Sequence, residues 1–223
     1  MSIIESSVAD AEWKRSIETL SAIGRNMDNP CFQEAVSHLE SFWVERDEQH
    51  TTTATLLSAL GQALMTFSAT KAIEPAFVEL LPKVLLVSDS PFGFLAEVCY
   101  NSVGAPYLFS HAVTNIYKPG FGRDDIVSGL QFHNLETLNG AIMTGRKPVV
   151  TNDPKNDPRS GGLPFGHAGL EAFLGLPFLV ADALVGAASL GDRPGGYAET
   201  EVQLLTPLCE IGGLMIAASR LDR

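Results

Sequence analysis

The chain has 223 residues and a formal net charge of −11, from 26 acidic and 15 basic side chains. That length buries a core easily and fits one domain with an extension, while the acidic balance argues against a nucleic-acid backbone or an anionic membrane surface as partner. No apolar run reaches membrane-spanning length, the opening MSIIESSVADAEWKR has neither a basic leader nor an apolar signal core, and Cys31, Cys99 and Cys209 are widely spaced and odd in number, so a cytoplasmic protein with buried free thiols is expected.

Trp13, Ile17, Leu20 and Ile23 recur at helical spacing, with Gly24 and Asn26 able to close that helix. Phe32, Val36, Leu39 and Trp43 mark a second amphipathic helix, which dissolves into the charged run Glu45–Glu48. Caps at Thr51–Thr53 open a third, striped by Leu56, Leu60, Leu64 and Phe67. Such stripes must be covered, either within the chain or by a second copy, and a homodimer is expected. A fourth helix spans Ala72 to Val87, with Ile73, Phe77, Leu80, Leu81 and Val84 inward and Pro82 expected to distort or shorten it.

Phe94–Tyr100 and Tyr107–Val113 flank the turn Asn101-Ser102-Val103-Gly104 and predict an antiparallel pair. Asn115 to Gly129, with one proline and three glycines, reads as a loop able to act as a lid. Leu135, Leu138 and Ile142 give one helical face stopping at Gly145, and Pro148–Thr151 is a short strand ended by Asn152-Asp153-Pro154. A polar loop carrying Lys155, Asp157, Arg159 and His167 follows. Ala172–Val180 and Leu184–Leu190 form a hairpin around Ala181-Asp182, its second strand built from Gly186, Ala187, Ala188 and Ser189, so that a helix or a ligand must lie against it. Gly195-Gly196-Tyr197 turns the chain into a last helix, where Thr200 and Gln203 resemble a capping box and Val202, Leu205, Leu208, Gly212 and Met215 face inward. This order predicts an α+β fold with a largely antiparallel sheet covered by helices.

The phrases SPFGFLAEV, PYLFSHAVTNI, TGRKPVVTNDP, HAGLEAFLGLPF and LVGAASLGDRPGGY, followed by a final helix, resemble GAF domains, the small-molecule sensor modules of bacterial signalling proteins such as histidine kinases and cyclic-dinucleotide enzymes. The resemblance runs from about Thr53 to the end. It implies a helical extension over 1–52 and a GAF domain over 53–223, with a central antiparallel sheet of five or six strands, helices on one face and a ligand pocket on the other, walled by the segment Asn152 to Phe173. It implies a sensory or regulatory module. No kinase, phosphodiesterase or cyclase segment follows Arg223, so an effector on a separate protein is expected. The loop NDPKNDPRSGG lacks the cyclic-nucleotide signature of this family, and no cysteine stands beside His167 to carry a bilin, so the identity of the ligand or cofactor stays open.

Phe132, Leu170 and Phe173 are the expected apolar walls, and Arg159 and His167 the groups expected to fix an anionic or amide-bearing ligand. Asn152, Asp153 and Asp157 are grouped with them as polar contacts, and His133 as a further half-buried hydrogen-bonding group. The alternative for Asp157 and Arg159 is a loop that ties itself together through Asx turns and an ion pair. His111, His133 and His167 stand apart, and no metal site is expected. Gly191–Gly196 reads as a turn, since no Lys-Ser/Thr follows it. No catalytic motif appears and no enzyme is expected. Two other readings remain: a structural dimerisation module with a collapsed pocket, and a free methionine-R-sulfoxide reductase, which uses this fold but needs pocket cysteines.

Overall fold

The computed structural model describes residues 15–24, 29–44, 51–163, 167 and 169–221. A helix over 15–24 (α1) is followed by α2 (Pro30–Val44), α3 (Thr51–Thr70) and α4 (Ile73–Val87), then by strands β1 (Phe92–Tyr100) and β2 (Pro106–Thr114). Two-residue strands β3 (Ile126–Val127) and β4 (Gln131–Phe132) come next, then α5 (Leu138–Gly145), β5 (Val149–Thr151), β6 (Phe173–Val180), β7 (Ala183–Gly191), α6 (Glu199–Leu204) and α7 (Thr206–Leu221). Trp13, Asn26, the side chain of Trp43 and the run Glu45–Glu48 lie outside the described residues.

The strands form one sheet in the order β3-β2-β1-β7-β6-β5, with β4 also paired to β2, and every pairing is antiparallel. The predicted pairs β1–β2 and β6–β7 are both present. β3 replaces part of the expected loop Asn115–Gly129, and β4 follows just after it. Two residues carry no periodicity, and both strands owe their place to the outer edge of β2, where the Ser110 amide donates to Leu130 O and its carbonyl accepts from Gly129 N, each at 2.8 Å.

Side chains alternate across the sheet because successive strand residues point to opposite faces. Leu95, Ala112, Leu174, Leu176 and Ala188 are buried in one cluster with Phe32, Leu39, Leu56, Leu60, Leu64, Phe67, Phe77, Leu80 and the inner face of α7. Phe94, Ala96, Val98, Leu108, Val113 and Phe173 form a second cluster on the opposite face, under Leu138, Ile142 and Met143 of α5. Gly186 belongs to the helix face. A methyl group there would stand 2.5 Å from both Ala96 O and the Ile216 side chain, so glycine is what lets α7 lie close against β7.

Leu56, Leu60, Leu64 and Phe67 are fully buried within a single chain, as are Phe32 and Leu39. The described members of these stripes are therefore covered within one chain, by intramolecular packing. α4 runs through Pro82 to Val87 and is not shortened by it. One lost backbone hydrogen bond is outweighed by burial of Val84 and Leu85 beyond it, at about 1.5–3 kcal/mol per side chain. The stop of α5 falls on Arg146, in the left-handed region with φ 51°, one residue past the expected Gly145. The last helix starts two residues earlier than Thr200 suggests: Ala198 N donates to the Glu201 carboxylate at 2.7 Å, and α6 breaks at Leu205, two residues before Pro207.

A β-bulge at His111, where Leu95 pairs with Ala112 but Ala96 pairs with Ser110, turns the imidazole toward the helix face. There His111 Nε2 lies 3.0 Å from Glu97 Oε2, and Arg220 near the end of α7 donates through Nε to Glu97 Oε1 at 2.8 Å and through its terminal nitrogen to Val98 O at 2.6 Å. The Glu97 carboxylate is almost entirely buried. It ties β1 and β2 to the last helix.

Candidate functional site

The face of the sheet away from α2, α3, α4 and α7 carries an open cavity of about 470 Å³. Its floor comes from strand alternation: Phe92 and Phe94 on β1, Val113 on β2, Phe173 on β6 and Ser189 on β7 all point the same way. Phe132 on β4 stacks on Phe94 with ring centroids 4.7 Å apart and planes 17° from parallel, closing one wall. Gly191 pairs with Phe92 on one side and Phe173 on the other. A Cβ there would be 2.3 Å from the Phe92 ring, so only glycine lets that ring lie on the neighbouring strand.

The second wall is the start of α5. Thr137 caps this helix by accepting from Gly140 N at 3.1 Å, and that fixes Leu138 and Asn139 against the cavity. Ser189 Oγ donates to Asn139 Oδ1 at 2.7 Å, joining floor to wall. The rim is made by Ile116 and Tyr117 from the 115–125 loop and by Ser160, Gly161, Gly162 and Leu163 from the loop after β5. The first of these loops is held by its own bonds, Asn115 N to Asp125 O at 2.7 Å and Arg123 Nε to Ser90 O at 2.8 Å, with Lys118 paired to Asp125.

The expected apolar walls Phe132, Leu170 and Phe173 do line the cavity, as do His133 and His167. His167 meets the Phe92 ring edge-on at 6.1 Å, and His133 stacks on Tyr107 at 4.6 Å with Nε2 3.0 Å from Gln131 Oε1. Asn152, Asp153, Asp157 and Arg159 lie elsewhere. Asn152 bridges the backbone of Tyr197, accepting from its amide at 2.8 Å and donating to its carbonyl at 3.0 Å. Asp153 accepts from Asn156 at 2.8 Å. Arg159 is spent on Asp157 through Nε at 2.9 Å and a terminal nitrogen at 2.7 Å, its own amide donates to the same carboxylate, and its guanidinium also reaches Val150 O. The Arg159 side-chain hydrogen bonds hold the Asp157 carboxyl well below the usual carboxylate range. An Asx turn with an internal ion pair, the alternative weighed from the sequence, is what this loop contains.

Asn139, Phe92 and Phe94 are not among the expected site residues, and Ser189 is expected only as one of the small residues of β7 that a helix or a ligand must cover, although the period-two pattern of β1 held the signal for Phe92 and Phe94. Read by face, Ser189 falls with Phe94 and Val113, while Gly186 and Ala188 fall under the helices. His111 lies on the opposite face, so the three internal histidines do not converge. None of the three thiols lines the cavity. Burial pushes the Cys209 thiol up to about 12, and burial also raises Cys31.

A family model described as GAF domain matches residues 79–217. The chain belongs to the GAF domain family. That match begins within α4, while α3 shares the buried core with α4 and α7. The GAF domain of a phosphoenolpyruvate-protein phosphotransferase from Coxiella burnetii superposes with a TM-score of 0.60 at 19% identity, covering 76% of this chain and 97% of that one. A free methionine-R-sulfoxide reductase from Neisseria meningitidis, solved with its substrate, gives 0.54 at 10% identity over 78% and 95% of the two chains. The phycocyanobilin-bound GAF domain of a cyanobacterial phytochrome gives 0.53 at 12% identity over 75% and 97%. These likenesses define the fold. In sequence, a methyl sulfide methyltransferase-associated sensor from Methanosarcina acetivorans is 34% identical over 74 residues, 33% of this chain and 7% of that protein's length. Among the described residues of this GAF domain, no helix is long and apolar enough to cross a membrane.

Proposed function

We propose that this GAF domain is a sensory module that binds a small molecule in the cavity on the open face of its sheet and passes occupancy to a separate effector protein in the cytoplasm, without catalysing a reaction. The observation that carries this reading is the cavity itself: about 470 Å³, floored by the central strands and left open among the described residues. The same strands offer a route outward, since β1 shows Phe94 to the cavity and, three residues later, Glu97 to Arg220 of α7. The sensor-named relative and the ligand-bound GAF domain are consistent with this use of the fold. A sulfoxide reductase would need a reactive thiol in the cavity, whereas Cys31, Cys99 and Cys209 all sit outside it. Because the stripes of α2 and α3 are covered within the chain, pairing of two copies forms no part of the reading.

The test is native mass spectrometry of the purified protein for a co-purified compound, followed by a thermal-shift screen against a metabolite library. At least one compound should raise the melting temperature of the wild type and leave Leu170→Trp, which places a larger ring in the cavity, unshifted. A library silent on the wild type, with no co-purified compound, would leave a dimerisation module as the better account.

A further inference from the structure

We infer that the cavity selects an uncharged aromatic ligand carrying a carbonyl group, and that Asn139, held by Ser189, is the residue that reads it. This rests on the ligand-binding reading above and narrows it to a chemical class. The first observation is charge: among the described lining residues there is no Lys, Arg, Asp or Glu, although the chain as a whole has 41 such side chains, 15 basic and 26 acidic. Arg159, the cation best placed in sequence to meet an anion, is paired with Asp157 and bonded to Val150 O outside the cavity. An ionic ligand seated here would lose its hydration with no permanently charged side chain among the described lining residues to replace it, His133 and His167 being the groups there that could gain a positive charge.

The second observation is shape. Phe92, Phe94, Phe132 and Phe173 supply flat apolar surface, with Phe94 and Phe132 already stacked, so a planar ring finds parallel and edge-on partners.

The third is an oriented donor. Ser189 is 4% exposed and its hydroxyl donates to Asn139 Oδ1, which consumes the acceptor end of the amide. The Nδ2 end has no hydrogen-bond partner among the described residues, and Asn139 lines the cavity, so a donor is what this side chain offers there. A ligand carbonyl satisfies it. An ammonium cannot accept, and a carboxylate accepts but brings an uncompensated charge.

The experiment uses three compounds of one skeleton: indole-3-acetamide, neutral with a carbonyl; indole-3-acetate, an anion; and tryptamine, a cation. Binding to the full chain is measured by saturation-transfer NMR and titration calorimetry, with Leu170→Trp showing that the signal comes from the cavity. The amide should bind about tenfold or more tighter than either ion. Asn139→Leu, close in size but without the donor, should weaken the amide by about tenfold, and Ser189→Ala should weaken it by less, since it frees the amide to rotate without removing it. Circular dichroism confirms that each variant is folded, and Ser189→Ala gives a second reading should Asn139→Leu misfold. Equal or tighter binding of an ion, amide affinity unchanged in Asn139→Leu, or no binding by any of the three overturns the inference. A charged library compound that binds the cavity would end this inference while leaving the sensory reading intact; a protein silent to the whole library would end both.

Discussion

On one face of the sheet Leu95, Ala112, Leu174 and Ala188 vanish beneath four helices; on the other Phe94, Val113, Phe173 and Ser189 border open space under a single short helix. The strands are the same, and adjacent residues meet opposite fates. Side-chain size decides which. Gly186 is small so that α7 can approach and Gly191 so that the Phe92 ring can lie over it, whereas Ser189 borders the open cavity. The sealed face carries stability and the open face carries recognition, so substitutions on the two faces should separate folding from binding.

The largest effect is expected from Leu60→Glu. Leu60 is fully buried in one chain, so the charge would have no partner and no water. The cost should exceed about 4 kcal/mol, a large part of the stability of a domain this size. Urea denaturation followed by circular dichroism should show a largely unfolded chain, not a folded monomer released from a dimer. Glu97→Ala comes next. It strands Arg220 and His111 at the joint of β1, β2 and α7, and should cost about 3 kcal/mol, at the low end for breaking a buried pair because Arg220 keeps access to water. On the open face the ranking inverts. Leu170→Trp should change stability by less than about 1 kcal/mol in the same denaturation experiment, while removing the ligand-induced thermal shift.

The smallest effect concerns acid. Asp157 titrates below its ordinary range in the folded protein, so its contribution is fully present above about pH 4 and is lost as pH falls through the folded value. Asp157→Asn should lower the neutral plateau of a melting-temperature profile slightly and flatten its acid limb below about pH 4, because the contribution that acid removes from the wild type is already missing. An acid limb identical to the wild type would show that the Asp157–Arg159 pair contributes nothing there.

What the sequence made legible follows from how local each signal is. β1, β2, β6 and β7 declare themselves through alternation and turn residues within about ten positions, and the stripes of α2, α3 and α4 through helical spacing. Which element covers a stripe is a long-range matter, and so Leu60 looked available to a second chain although it lies in the core. β3 and β4 exist only because β2 presents an edge to them. The site divides in the same way. Arg159 and Asp157, two residues apart, looked like a ligand clamp because both are polar in a glycine-rich loop, yet that short separation is what lets them satisfy each other. Asn139 and Ser189 are fifty residues apart and meet only once α5 crosses the sheet.

The account stands most directly on what occupies the open face, and the decisive measurement is the electron density of the protein crystallised with the tightest-binding library compound. The prediction is a neutral aromatic molecule stacked between Phe94 and the rim, its carbonyl oxygen within hydrogen-bond distance of Asn139 Nδ2 and the Ser189–Asn139 bond intact. Density showing the cavity collapsed onto its own side chains, or the compound bound outside it, would contradict the claim.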